Sequence, residues 1–287
     1  MRAALLPHPP LLVPELGGRA AGELDPLRAA CRKAVEGVLS ASGALVVIGD
    51  GPVWGIAARS AVGSFLPYGA DVEVRLPEDR LWADLSALPE PHRLDDLPLS
   101  LAVAAWLLDR SAEAPTKRRR LRLAGERADA VPKRDPVPSG SKVPSLIACT
   151  VPATLGPGAA TAVGQALADV AADHGPVGVL AMGDLSARRT AAAPGAYHPA
   201  AAAFDAGIAD ALVRGDLDAL ARLDPAEAAE LQVGGRAVLQ ALAGAMRAGT
   251  RPTGEVLYDE APFGVGYLVA LLTSAAESAP SAAADTR

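Results

Sequence analysis

The sequence predicts a three-layer α/β fold, in which helices cover both faces of a mostly parallel central sheet. Short continuous apolar runs, such as residues 44–48 and 177–182, are typical of strands that are buried on both faces. Segments with helical periodicity alternate with these runs along the chain. At 287 residues the chain is long enough for one large core. We expect a single domain over residues 1–273 and a disordered tail over 274–287.

The first part of the chain gives three strands and two helices. An apolar run over 3–6 predicts a buried strand, and Asp25 followed by Pro26 is typical of a helix N-terminus. The run 44–48 predicts a second buried strand, which ends in the turn residues Gly-Asp-Gly-Pro at 49–52. An alternating pattern over 71–76 predicts a strand near an edge of the sheet. The apolar segment 97–108 predicts a buried helix.

The second part of the chain continues the alternation. Two more buried strands are predicted over 145–151 and 177–182, with a helix over 158–172 between them. Further helices are predicted over 204–213 and 225–246, and a final strand over 264–272. The longer helix starts with a pattern that resembles a capping box, in which Asp224 is the cap and Glu227 its partner. Residues 111–143 carry the basic run 117–120 among prolines and predict an exposed loop.

Composition excludes several classes of protein. The formal net charge is -6, whereas a nucleic-acid-binding protein needs a basic face that neutralises phosphates. No apolar run approaches the roughly 20 residues of a membrane span, and the N-terminus lacks the pattern of a signal peptide. Cys31 and Cys149 are isolated, which argues against a disulfide framework and a structural zinc site. We therefore expect a cytoplasmic protein with no membrane or nucleic-acid partner.

His8 is the first candidate functional residue. It follows the first predicted strand and is flanked by Pro7, Pro9 and Pro10, which fix the backbone and exclude a helix. Ligand-binding side chains collect at the carboxyl ends of strands in open α/β sheets. One interpretation is therefore a metal-ligating histidine. The other is a rigid turn whose imidazole satisfies a buried carbonyl.

Carboxylates follow other predicted strands and begin the last long helix. Asp50 and Asp184 come directly after buried strands, where they could join His8 around Fe(II), Mn(II) or Zn(II). Turn formation and helix capping are the alternative, and we prefer capping for Asp184. Glu230 lies beyond the capping box in an apolar stretch, where a carboxylate is costly unless it is paired or bound to metal. Glu230 is therefore a better functional candidate than Glu227.

Taken together, these motifs resemble the catalytic (B) subunits of class III extradiol ring-cleavage dioxygenases and the related Memo-like proteins. The resemblance extends over nearly the whole chain in sequence order. It is carried by Pro7-His8-Pro9-Pro10-Leu11-Leu12-Val13-Pro14, Val46-Val47-Ile48-Gly49-Asp50-Gly51-Pro52, Gly183-Asp184-Leu185-Ser186, Tyr197-His198-Pro199, Ala228-Ala229-Glu230 and Ala261-Pro262-Phe263-Gly264-Val265-Gly266-Tyr267.

The resemblance implies a site for non-haem Fe(II) made of two histidines and one carboxylate, with open positions for a catecholic substrate and O2. By position, His8 matches the first metal histidine and Glu230 the carboxylate. Asp50 stands where the family has its second metal histidine, and Ala187 stands where it has the histidine that acts as acid and base. His198 is the nearest remaining histidine and a candidate for that catalytic role, although it does not occupy a ligand position in the motif.

These departures lead to two hypotheses about function. A site with one histidine and two carboxylates suits Mn(II) or Mg(II) better than Fe(II), and it can also have lost metal altogether. Replacing the acid–base histidine by Ala187 removes proton transfer that typically contributes about 10²–10⁴-fold. The first hypothesis is a dioxygenase-like protein with a degraded metal site, which binds rather than cleaves. The second is a divergent metal-dependent dioxygenase that opens a small ring substrate; a homo-oligomer and a partner subunit both stay open.

We predict that the basic run at 117–120 gives no sequence-specific nucleic-acid binding, because the chain as a whole is acidic. Fluorescence anisotropy with labelled DNA and RNA duplexes at physiological salt should show no saturable, sequence-dependent binding. A tight complex with one sequence and not with its scrambled counterpart would contradict this prediction.

Overall fold

The structure is a computed structural model, and it describes residues 1–77, 79, 88–112, 145–247 and 251–274. Most of the loop predicted over 111–143 therefore lies outside the described residues, as do residues 275–287 of the predicted tail. Residues 111 and 112, by contrast, belong to the end of a helix.

The described part of the chain contains nine strands, eight α-helices and three 3-10 helices, the last over Pro10–Leu12, Gly18–Leu24 and Leu66–Tyr68. The strands are β1 (Arg2–Leu6), β2 (Ala44–Asp50), β3 (Gly55–Ser64), β4 (Glu73–Arg75), β5 (His92–Asp96), β6 (Ser145–Val151), β7 (Val177–Met182), β8 (Thr253–Glu260) and β9 (Tyr267–Thr273). The helices are α1 (Pro14–Gly17), α2 (Asp25–Leu39), α3 (Leu99–Ala112), α4 (Pro157–Ala172), α5 (Ala201–Arg214), α6 (Leu217–Ala221), α7 (Pro225–Glu230) and α8 (Arg236–Ala245).

All nine strands join one sheet in the order β4-β3-β6-β2-β7-β1-β9-β8, and β5 pairs with β3 outside this order. The four central strands, β6, β2, β7 and β1, are mutually parallel. The flanking strands β3 and β9 run antiparallel to their central neighbours. The predicted three-layer α/β class is confirmed, with a mixed sheet whose centre is parallel.

Both faces of the central strands are buried against helices, as alternation of side chains along a strand requires. In β1, Ala4 and Leu6 belong to the core that contains α2 and α3. Ala3 and Leu5 belong to the opposite core, which contains α4, α5 and α8. Within the described residues, no helix is both long and apolar enough to span a membrane.

The prediction of one continuous helix over 225–246 is wrong. The structure divides it into α7 and α8, separated by residues 231–235. Gln232 has a φ of 55°, a left-handed conformation that interrupts the helix. The amide of Gly235 donates to the carbonyl of Asp184 at 2.9 Å, so a tertiary contact takes the bond that a continuous helix would have used. The predicted cap at the start is confirmed, since Asp224 accepts from the amides of Ala226 and Glu227.

Other differences lie at element ends and in the outer strands. Asp25 begins α2 but does not cap it, and its carboxylate pairs with Arg28 at 2.9 Å instead. The sequence did not predict β3, β5 or β8. These strands lie outside the parallel centre, and their burial is partial and irregular rather than continuous.

Glycines allow α4 and α8 to pack closely against each other. A Cβ atom at Gly164 would lie 1.8 Å from the carbonyl oxygen of Ala241, and one at Gly244 would lie 2.0 Å from that of Thr161. These neighbours are backbone atoms, which cannot turn aside as a flexible side chain does. The two helices therefore require glycine at both positions.

We predict that Gly164→Ala lowers the free energy of unfolding by about 1–3 kcal/mol, because the added methyl group forces α4 and α8 apart. Gly158→Ala is the matched control in the same helix, since a Cβ there has no described neighbour within 4 Å. The control should be neutral or slightly stabilising, as alanine favours helix over glycine. Urea denaturation of both variants is the measurement. Equal stabilities would show that the helix contact is not tight.

Candidate active site

The parallel centre of the sheet brings the ends of β1, β2 and β7 to one rim. Leu6 of β1 and Gly49 of β2 both pair with Met182 of β7, so the residues that follow these strands are neighbours. His8 comes two residues after β1, Asp50 is the last residue of β2, and Asp184 comes two residues after β7. The site is built on these three strand ends.

The imidazole of His8 lies between two carboxylates. Its Nε2 is 2.9 Å from Oδ1 of Asp50, and its Nδ1 is 3.8 Å from Oδ1 of Asp184. The backbone amide of His8 also donates to Oδ1 of Asp184 at 2.8 Å. The His8 side chain is 8% exposed, whereas Asp50 and Asp184 are 33% and 23% exposed. The two carboxylates therefore separate the buried ring from the solvent-facing rim.

Backbone contacts hold each strand end in place. The amide of Gly183 donates to the carbonyl of Leu6 at 2.8 Å, which continues the pairing of β1 and β7 beyond the strands. The hydroxyl of Ser100, at the start of α3, donates to the carbonyl of Asp50 at 2.6 Å. The second contact uses the carbonyl of Asp50 rather than its carboxylate, so the side chain of Asp50 is free to face His8.

Arg28 anchors the turn that follows His8. Its guanidinium is buried and donates to the carbonyls of Leu11 at 2.9 Å and Leu12 at 2.7 Å, and also to that of Ala21. A buried cation is costly unless its donors are satisfied, and here backbone carbonyls and Asp25 satisfy them. Arg28 thus fixes the proline-rich segment from α2, which explains why a loop residue can hold its ring in the core.

Burial and charge shift the pKa values at this site in opposite directions. Burial lowers the pKa of His8, but the charge of Asp184 and the hydrogen bond and charge of Asp50 outweigh it and raise that pKa to about 9. Burial also raises the pKa of Asp184, a change that the positive charge and the amide of His8 oppose. His8 is therefore the protonated partner of this cluster at neutral pH.

Glu230 and His198 form a second, separate pair. His198 Nε2 lies 3.2 Å from Glu230 Oε1, and His198 Nδ1 accepts the amide of Ala200 at 3.2 Å. The Glu230 side chain is 63% exposed, so the sequence argument that placed this carboxylate in a costly apolar environment is wrong. An end position on the short helix α7 leaves it in solvent. Among the described residues, the carboxylates that contact His8 are those of Asp50 and Asp184.

Ala187 lies in a segment with unusual backbone geometry. Its amide donates to the carbonyl of Gln232 at 3.4 Å, and its carbonyl accepts the amide of Gly195 at 3.1 Å. Gln232 and nearby Ala196 both have positive φ, at 55° and 60°. Left-handed residues other than glycine are uncommon and persist only where surrounding contacts hold them. The alanine side chain brings no ionisable group to this position.

The donor set does not fit the Fe(II) site that the family resemblance implies. The three expected ligands are divided between two ion pairs, with His8 and Asp50 in one and Glu230 in the other. Asp50 occupies the Nε2 side of the imidazole, while Asp184 lies on the Nδ1 side. Across the described ranges, no three His, Cys, Asp or Glu side chains are arranged to hold a metal ion.

Besides Glu230, the sequence argument misjudges Asp184 and misses Arg28 and Gly235. Asp184 does not cap a helix, since its carboxylate accepts the amide of His8. Its position after a buried strand was the signal for a strand-end role. Arg28 was missed, and an arginine on the apolar stripe between 27 and 31 was a signal that could have identified it. The amide of Gly235, which donates to the carbonyl of Asp184, had no signal in the sequence other than the pair Gly234-Gly235.

Comparisons with known proteins identify no family. No protein-family model and no curated protein matches the chain. Among solved structures, the chain aligns with an uncharacterized protein of Escherichia coli K12, JW3007, at 14% identity and a TM-score of 0.45. The alignment covers 96% of this chain and 100% of the other. The site residues therefore carry the functional inference.

We predict that the free energy of unfolding falls by about 1–3 kcal/mol as pH rises from 6.5 to 9, because His8 is protonated in the folded protein over that range. A raised histidine pKa gives stability that is present below 6.5 and is lost through the folded value near 9. His8→Gln should remove this loss, whereas the exposed His174→Gln should keep it. Urea denaturation at several pH values is the measurement. An unchanged pH dependence in His8→Gln would refute the prediction.

Proposed function

We propose that this protein is a relative of the class III extradiol dioxygenases that acts by binding and does not catalyse ring cleavage. The arrangement around His8 carries the proposal. The Nε2 atom of its imidazole is 2.9 Å from a carboxylate oxygen of Asp50. Nε2 donates to this carboxylate, whereas Nδ1, 3.8 Å from Asp184, has no hydrogen-bond partner among the described residues. A ring that donates in this way is protonated on Nε2, while metal binding through that atom requires it to be unprotonated.

The neighbouring positions support the same proposal. A Cβ atom placed at Gly234 would lie 3.8 Å from Oδ2 of Asp50. Apart from the chain neighbours of Gly234, no other described residue has an atom within 4 Å of that position. Position 234 thus faces Asp50 but supplies no ligand. Ala187 likewise supplies no acid or base, and Glu230 pairs with His198. Ring cleavage needs both a metal and a positioned proton-transfer group, and these positions offer neither.

The alternative is a divergent metal-dependent dioxygenase. The close approach of His8 and Asp50 at the ends of parallel strands favours it, because metal sites in such folds form at this edge. A metal would then have to displace the proton of His8 and draw Asp50 aside. Metal content and turnover separate the two functions directly.

We predict that the native protein shows no extradiol activity on catechol or protocatechuate after anaerobic Fe(II) loading and exposure to air. Protein purified without chelators should hold substoichiometric metal by mass spectrometry. Asp50→His should raise Fe(II) affinity, because it removes a carboxylate and restores an imidazole donor. Adding Ala187→His should give trace turnover, measured as the absorbance of the ring-cleavage product.

The matched control is His8→Ala in the Asp50→His background, which should lose the gained Fe(II) affinity if the metal binds at the strand ends. Robust turnover by the native protein would establish the divergent dioxygenase instead. His198→Gln would then test whether that histidine supplies the proton transfer, since it is the histidine nearest to position 187 in the sequence.

A further inference from the structure

Asp205 is a buried carboxylate outside the His8 cluster. It lies on α5, is 1% exposed, and accepts the amide of Ser186 through Oδ1 at 3.1 Å. Its Oδ2 is buried and has no hydrogen-bond partner among the described residues. An unpaired buried carboxylate oxygen costs free energy, so its retention in the core calls for a specific explanation.

The nearest cation is shared with another acid. Arg189 Nη1 lies 3.9 Å from Oδ2 of Asp205, but it is only 2.5 Å from Oδ1 of Asp259 on β8. Arg189 therefore neutralises Asp205 incompletely. The cluster has two carboxylates and one guanidinium, and the carboxylate without a close partner is the one that is completely buried.

Asp205 joins two segments next to the site. Ser186, whose amide it holds, belongs to the segment after β7 that carries Asp184 and Ala187. A Cβ at Gly266 would lie 2.3 Å from Asp205 Oδ2, so the segment before β9 also packs directly on this carboxylate. The two segments bond to each other as well, since the amide of Gly266 donates to the carbonyl of Ser186 at 2.8 Å.

Among the described residues, two charged groups act on Asp205. Arg189 approaches from the segment after β7 and Asp259 from β8, while the segment before β9 contributes the backbone of Gly266. The charges on α5 itself and on α6 are engaged elsewhere: Asp210 pairs with Arg214, Asp216 caps α6, and Asp218 pairs with Arg247.

We propose that Asp205 is a protonation-dependent clamp on residues 183–189, which holds this segment against α5 and the start of β9 more tightly when its carboxyl group is neutral. Burial raises the pKa of Asp205 to about 6, although the amide of Ser186 and the charge of Arg189 oppose the rise. Asp259 adds to it. When the segment opens, water reaches the carboxylate and its pKa returns toward the ordinary value of 3.8.

Proton linkage gives the direction in which pH changes the opening of residues 183–189. The closed state binds a proton between pH 3.8 and about 6, whereas the open state does not, so opening becomes more favourable as pH rises through that range. The opening equilibrium should increase by at most about 100-fold and then level off above pH 6. Residues 183–189 are therefore held more tightly in mild acid than at neutral pH.

Amide hydrogen exchange tests this inference in the full chain. Protection of Leu185, Ser186 and Gly266, corrected for the intrinsic exchange rate, should fall from pH 4.5 to 6.5 and stay constant above it. Amides in the middle of β2 should show no such step. Asp205→Asn keeps an oxygen acceptor for Ser186 but cannot ionise, so its protection should be independent of pH. Asp210→Asn, on the exposed side of the same helix, should behave like the native protein.

A second variant keeps the test decisive if Asp205→Asn does not fold. Asp259→Asn removes the acid that competes for Arg189, so it should move the exchange step to lower pH. A native protein without a step between pH 4.5 and 6.5 would overturn the proposal. A step that persists in Asp205→Asn, or keeps its midpoint in Asp259→Asn, would do the same.

Discussion

The hydrogen bond from the His8 amide to the Asp184 carboxylate fixes the geometry of the whole rim. It joins the segments that follow two adjacent parallel strands, and its 2.8 Å length is that of a charge-assisted bond. Because the bond uses the main chain of His8, the imidazole is left to reach Asp50 on the other side. Arg28 holds the next turn through the carbonyls of Leu11 and Leu12. The backbone of His8 is thus held by contacts that do not involve its imidazole.

Sequence patterns were sufficient for the parallel centre of the sheet and insufficient for its edges. Strands β2, β6 and β7 are buried along nearly their whole length, so continuous apolar runs identify them. Strand β3 has arginine and serine in its middle, and β8 mixes charged and apolar residues without strict alternation. Their pairing depends on neighbours distant in the sequence, which no local window contains. The same holds for the break between α7 and α8, where Gly235 bonds to Asp184.

The part of the site at the strand ends was also predictable from the sequence, and the rest was not. His8 and Asp50 lie together because both follow buried parallel strands, a relation that the order of the chain already contains. Apart from the family resemblance, the argument for Glu230 rests on local hydrophobicity, and its helix is too short and too exposed for that argument to apply. The Asp205 cluster had no local signal at all, since α5, the segment after β7 and β8 each contribute one of its groups.

The support of this rim by main-chain bonds has a consequence for substitutions at the strand ends. Leu6, Asp50 and Asp184 each accept a stabilising hydrogen bond through a carbonyl oxygen, and these bonds do not depend on what the side chain is. The side chain of Asp50 can therefore be exchanged without losing the hydrogen bond that holds its own backbone, whereas exchange of Asp184 also removes the acceptor of the His8 amide. At position 50 a substitution can therefore change the chemistry of the rim and leave the support of the strand end intact, because the two depend on different atoms of the same residue.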